Sequence, residues 1–196
     1  MEIEVKNLNK KFDNILAVNN LNFKIKKNKT LGLLGPNGCG KTTTIGMMLG
    51  LIKPSNGQII INNFDINKTD KNLILKYINF ASPYVELPKK LTVRENLEVY
   101  ARLYDIPKIN DRISELVDEL SLNKFIDKKS GELSSGQKNR VSLAKSLINK
   151  PKILFLDEPT ASLDPDIGDF VRNYITEYKK QNDVTILLAS HNMDEV

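Results

Sequence analysis

Gly35-Pro36-Asn37-Gly38-Cys39-Gly40-Lys41-Thr42-Thr43 follows directly on the run Thr30-Leu31-Gly32-Leu33-Leu34. In a Gly-x-x-x-x-Gly-Lys-Thr loop, successive backbone N–H groups, one ammonium and one hydroxyl converge on a phosphate chain and its Mg2+. Glycines at 35, 38 and 40 let the backbone curl closely round an anion. The context predicts a buried parallel strand over 30–34 and then a helix from Lys41, whose N-terminal N–H groups and dipole face the phosphates. Ile45, Met47, Met48 and Leu49 give that helix a packing face. Lys41 is accordingly assigned to the β- and γ-phosphates of a nucleotide and Thr42 to Mg2+, with Pro36, Asn37, Cys39 and Thr43 completing the loop.

The apolar run Ile153-Leu154-Phe155-Leu156 ends in Asp157-Glu158. Two adjacent carboxylates on a surface loop are ordinarily solvated charge. At the end of a core strand they lie where open α/β sheets bind ligands. His191, the single histidine, follows the run Thr185-Ile186-Leu187-Leu188-Ala189-Ser190. A lone histidine is more often structural than catalytic, so the residue alone leaves both roles open. Between these motifs, Leu133-Ser134-Ser135-Gly136-Gln137 precedes a helix expected over Gln137 to Asn149, and serine is a favoured helix cap.

At 196 residues the chain is long enough for one domain with a real core. Its longest apolar stretches are strand-length, short of the ~18–20 residues of a transmembrane helix, and the mean hydropathy is −0.32. Met1-Glu2-Ile3-Glu4 does not resemble a signal peptide. One cysteine excludes an internal disulfide and suits a reducing compartment. The net charge of +5 could mean a polyanionic partner. The lysines are interspersed with acidic residues and no nucleic-acid module accompanies them, so compositional bias toward Lys, Asn and Ile accounts for the charge and no nucleic-acid partner is expected.

Alternation in Ile3-Glu4-Val5 and in Leu21-Asn22-Phe23-Lys24-Ile25 predicts half-exposed strands in the first ~30 residues. After the turn Lys53 to Gly57, a strand is expected to Ile61. From Thr92 to Asn149 the period becomes helical, with Leu97, Val99, Tyr100 and Leu103, then Ile113, Leu116, Val117 and Leu120 on the apolar faces and Pro107 between them. A helix over Ile167 to Lys180 separates the last two core strands. This order implies a parallel sheet flanked by helices.

The phosphate loop, the Leu-Ser-Ser-Gly-Gln segment and Asp157-Glu158, in that order, resemble the motifs of ABC-type ATPases, and the resemblance runs nearly end to end. It implies an α/β P-loop NTPase fold with a parallel core sheet, an N-terminal antiparallel β subdomain and a helical signature subdomain at about 92–150. It further implies an ATP- and Mg2+-dependent ATPase subunit of a transporter, cytoplasmic and peripheral on the inner face of the cell membrane. Its partners would be a second ATPase subunit and integral membrane permease subunits, with a leaning toward export. By resemblance, Asp157 holds Mg2+, Glu158 is the general base, and His191 contacts the γ-phosphate and orients the attacking water. Leu133, Ser134, Ser135, Gly136 and Gln137 would face the ATP of the opposite subunit, Ser162, Leu163 and Asp164 would communicate across the dimer, and Phe12 would stack on adenine. Alternatives are a non-transport ABC ATPase, and a nucleotide-gated module that hydrolyses little.

Three departures from the family pattern are visible. Ser135 stands where glycine is usual. Aligning on Leu91-Thr92-Val93-Arg94-Glu95-Asn96 puts Pro83 where the family has a magnesium-binding glutamine, leaving Ser82, Glu86 or an extra water to take its place. The sequence ends at Val196, where the family continues through a further strand and helix, so a truncated chain or a differently completed sheet edge is expected.

Overall fold

The computed structural model describes residues 1–83, 85–161 and 163–192. Strands β1 (Ile3–Phe12) and β2 (Ile15–Ile25) form an antiparallel hairpin, and β4 (Asn56–Ile61) and β5 (Phe64–Asp65) complete a sheet in the order β2-β1-β4-β5. Asn7 and Asn20 take positive φ where the register of this hairpin shifts, a conformation asparagine tolerates better than most residues. The second sheet is parallel, in the order β3 (Thr30–Leu34), β8 (Thr185–Ser190), β7 (Ile153–Asp157), β6 (Ile78–Ala81). Helix α1 (Lys41–Met48) follows β3, and a short α2 (Asn72–Leu75) precedes β6. Helices α3 (Val93–Leu103), α4 (Ile109–Glu119) and α5 (Ser135–Leu147) lie between β6 and β7, and α6 (Pro165–Gln181) joins β7 to β8.

Strand β7 is buried on both faces, and its period of two divides the core. Ile153 and Phe155 join α1 and the antiparallel sheet, whereas Leu154 and Leu156 join the helices. The helical segment does not close a core of its own: Leu97, Leu116, Val141 and Leu147 share one cluster with Ile186 and Leu188 of β8.

Several expectations shift. Strand β3 is parallel but forms an edge, bonded only to β8 among the described strands, and Leu34 is 42% exposed rather than buried. On α3 the buried face is Val93, Leu97 and Ala101, residues four apart, with Tyr100 packed alongside. Val99 and Leu103 fall on the opposite side and are exposed. Helix α5 begins two residues before the expected start, directly after its Ser134 cap, and ends at Leu147, two residues short of the expected Asn149. Helix α6 starts at Pro165, whose fixed φ suits a first helical position. Strand β6, four residues long, carries no periodic signal of its own.

Lys145 of α5 is buried, its Nζ donating to the Phe80 carbonyl at 2.8 Å and lying 5.5 Å from the Tyr100 ring centroid. Burial pushes its pKa down from 10.5 to about 8. A base whose folded pKa lies below its unfolded value releases its proton on folding, so this residue favours folding increasingly as pH rises from about 8 toward 10.5. Between pH 7 and 9.5 it is expected to add on the order of 1–2 kcal/mol of stability. Lys145→Met should flatten that rise, as followed by urea melts across the pH series.

Candidate functional site

Strand β3 delivers the chain to the 35–43 loop, which α1 closes. Gly40 sits at φ 96° before the helix, and a Cβ there would come within 2.2 Å of the Ala17 carbonyl oxygen, so only glycine fits. Gly38 has φ 82° in open space, the conformation alone favouring glycine. Lys41 is buried inside the loop: its Nζ donates to the carbonyls of Gly35 at 2.6 Å and Pro36 at 3.1 Å. The same Nζ lies 3.4 Å from Glu158 Oε1.

At the end of β7, Asp157 is fully buried and Oδ2 accepts a 2.8 Å hydrogen bond from Thr42 Oγ1. Burial raises the Asp157 pKa; the Thr42 bond and Lys41 pull it down, while the Glu158 carboxylate adds to the rise. Its Oδ1 is buried with no hydrogen-bond partner. An orphaned carboxylate oxygen beside a threonine hydroxyl is a donor pair of the kind Mg2+ takes, the ion keeping water or phosphate oxygens elsewhere. Glu158 is buried, held by its N–H to the Ala189 carbonyl at 2.8 Å, and adopts φ 52°, uncommon for a residue with a side chain. His191 Nδ1 lies 2.6 Å from Glu158 Oε2, the imidazole half-exposed. The structure therefore gathers Lys41, Thr42, Asp157, Glu158 and His191 from three places in the sequence. Beside them a cavity of about 160 Å³ is lined by Ala17, Asn37, Gly38, Gly40, Lys41, Thr42, Thr43, Asp157 and Glu158.

The remaining expected residues lie elsewhere. Phe12 ends β1, partly exposed, with Lys10 Nζ 4.6 Å from its ring centroid, and does not line the cavity. Cys39 is an exposed free thiol, packed so that a Cβ on Gly35 would meet its Sγ at 2.6 Å. Ser134 caps α5 in a reciprocal box: Gln137 N–H donates to Ser134 Oγ at 3.3 Å and Ser134 N–H to Gln137 Oε1 at 3.0 Å. Leu133 is buried and Ser135 exposed, and a Cβ on Gly136 would press on Ile167. None of residues 133–137 reaches the cavity of their own chain. Asp164 stands at the N-cap position of α6 without a side-chain capping bond, and Leu163 packs against the helical cluster; Ser162 lies outside the described residues. Ser82 is buried, Glu86 pairs with Lys89 at 2.8 Å on the surface, and neither they nor Pro83 lines the cavity. Sequence reasoning missed Ala17, whose carbonyl packs on Gly40, and Asn139, whose Nδ2 donates to the Pro159 carbonyl at 2.6 Å beside Glu158. Neither carries a motif signal.

A parallel sheet in which one strand feeds a phosphate loop and a second, separated from it by β8, ends in buried carboxylates facing that loop is the arrangement of P-loop nucleotide-binding proteins. The family described as ABC transporter matches residues 18–161, and the chain belongs to that family. It is 39% identical over 197 residues to the bacitracin transport ATP-binding protein BcrA of Bacillus licheniformis, covering 99% of this chain and 63% of that protein. It is 35% identical over 195 residues to the Fe(3+) ions import ATP-binding protein FbpC of Photorhabdus laumondii, covering 98% of this chain and 55% of that protein. The chain thus spans about half the length of several curated relatives it matches. A solved dimeric structure of the ATP-binding cassette MJ0796, in a post-hydrolysis state bound to ADP and Pi, matches with TM-score 0.89 at 28% identity, covering 98% of this chain and 89% of that one.

Proposed function

We propose that this chain binds and hydrolyses ATP as the peripheral ATPase subunit of a transporter, on the cytoplasmic face of the membrane, and drives separate permease subunits. The observation that carries the reading is the Lys41–Glu158–His191 cluster at the mouth of the phosphate loop. Lys41 and the loop N–H groups bind the phosphates. Thr42 and Asp157 would hold Mg2+, which would supply neutralisation of developing phosphate charge. Glu158 accepts the proton of the attacking water, and His191, bonded to that carboxylate, fixes its orientation. Phe12 stacks on the adenine.

Two copies act together. Leu133–Gln137 lie away from the cavity of their own chain, which supports a composite site in which the capped N-terminus of α5 faces the partner's nucleotide. Ser162, Leu163 and Asp164 connect the two copies. We read the transporter as an exporter on the strength of the Ser134-Ser135-Gly136-Gln137 signature and the Ser82-Pro83-Tyr84 sequence; its relatives include named importers of Fe(3+) ions and of sulfate and a probable multidrug transporter.

Pro83 at the expected glutamine position favours a second reading, a nucleotide-gated module with little turnover. Steady-state phosphate release from Mg-ATP by the purified chain separates the two, and multiple turnovers are expected. Binding of ATP with less than one turnover, with and without the permease, would leave only the gated module. Substrate accumulation in inside-out vesicles carrying the complex supports export, and ATP-driven loss overturns it.

A further inference from the structure

Helix α5 carries a polar stripe at Asn139, Ser142 and Lys145, spaced three residues apart along one side of the helix, and Asn149 extends it in the turn just beyond the helix end. Most of it seals the outer edge of β6: Lys145 donates to the Phe80 carbonyl, and Asn149 Nδ2 to the Lys76 carbonyl at 3.0 Å. Asn139 does something different. Its side chain, 7% exposed, crosses to the turn after β7 and donates to the Pro159 carbonyl at 2.6 Å.

That turn contains Glu158 in the left-handed region, which a residue with a Cβ occupies only when its surroundings hold it there. Two backbone bonds fix the turn, Glu158 N–H to the Ala189 carbonyl of β8 and, within the turn, Ala161 N–H to the Glu158 carbonyl at 3.1 Å. Asn139 holds it from outside, through a buried amide bond, and sits in the second turn of the helix that Ser134 caps. Helix start and carboxylate are therefore joined through one side chain.

We propose that Asn139 is a positioning residue for Glu158, making the N-terminal end of α5 and the Glu158–Pro159 turn one mechanical unit. This rests on the composite-site reading: when the exposed end of α5 closes on the partner's nucleotide, the bond to Pro159 carries that displacement to the carboxylate at the chain's own nucleotide. Each chain then links the two sites, its signature acting on one and its general base on the other.

The test compares Asn139→Ala and Asn139→Gln with wild type, reading kcat, KM for ATP and ATP-driven dimerisation. Asn139→Ala is expected to lower kcat about tenfold with KM and dimerisation within about twofold of wild type. Asn139→Gln, which retains an amide N–H, is expected to recover at least half the lost rate. A role confined to supporting the helix end predicts instead that dimerisation weakens with the rate, and that outcome overturns the proposal. So does a kcat within twofold of wild type, or equal loss in both variants. Should Asn139→Ala fail to fold by circular dichroism, Asn139→Asp, which keeps the shape and replaces the donor with an acceptor, is judged by the same criteria. A Glu158→Gln chain that still turns over counts against the reading of the site, whereas normal Asn139→Ala beside inactive Glu158→Gln counts against the positioning role alone.

Discussion

Glu158→Gln is expected to bind ATP within about twofold of wild type while losing at least about a hundredfold in turnover, the lower bound for removing a positioned general base. The amide keeps the shape of the side chain but cannot accept the proton of the attacking water. It also replaces the carboxylate that lies 3.4 Å from Lys41 Nζ and 2.6 Å from His191 Nδ1. With hydrolysis blocked and the phosphate loop intact, ATP should trap the dimer, which size-exclusion chromatography with and without ATP resolves. Wild-type turnover in this variant would remove Glu158 from the mechanism.

The second large effect is loss and recovery in mixed dimers. Ser134→Arg is expected to abolish ATP-driven dimerisation, because it sets a long charged side chain on the exposed end of α5. The lost capping bond costs only about 1 kcal/mol, so the monomer should remain folded. Lys41→Ala should abolish nucleotide binding, since the buried ammonium is the loop's one side-chain cation. Each homodimer is expected to be inactive. A heterodimer of the two has one site carrying both defects and one carrying neither, so roughly half the wild-type turnover should return if the sites act independently in a twofold-symmetric pair. Doubly tagged heterodimers purified in sequence provide the check, and zero recovery with both subunits folded would reject independent composite sites.

Much of the architecture was legible in advance. The phosphate loop reads directly because its chemistry is contiguous: glycine spacing, one lysine and one threonine define a backbone path with few alternatives. Asp157-Glu158 reads because a continuous apolar run of strand length must be buried, which fixes where its end emerges. On α3, by contrast, apolar residues occur on both sides of the helix. Leu97 and Val99 are equally apolar on paper, and only the neighbouring helices and sheet determine that the first is buried and the second exposed. Strand β6 escaped notice because four residues carry too little periodicity to register.

By itself, then, the sequence determined the phosphate loop, the order of the core elements other than β6, the capped signature helix and the family resemblance, each read from short contiguous motifs. The tertiary structure decided that β3 is an edge among the described strands, that Lys41, Glu158 and His191 meet, and that Asn139 reaches the Pro159 carbonyl. Those outcomes depend on which distant segments become neighbours. An edge exists only relative to its sheet, and a hydrogen bond across twenty residues leaves no periodic trace in the chain.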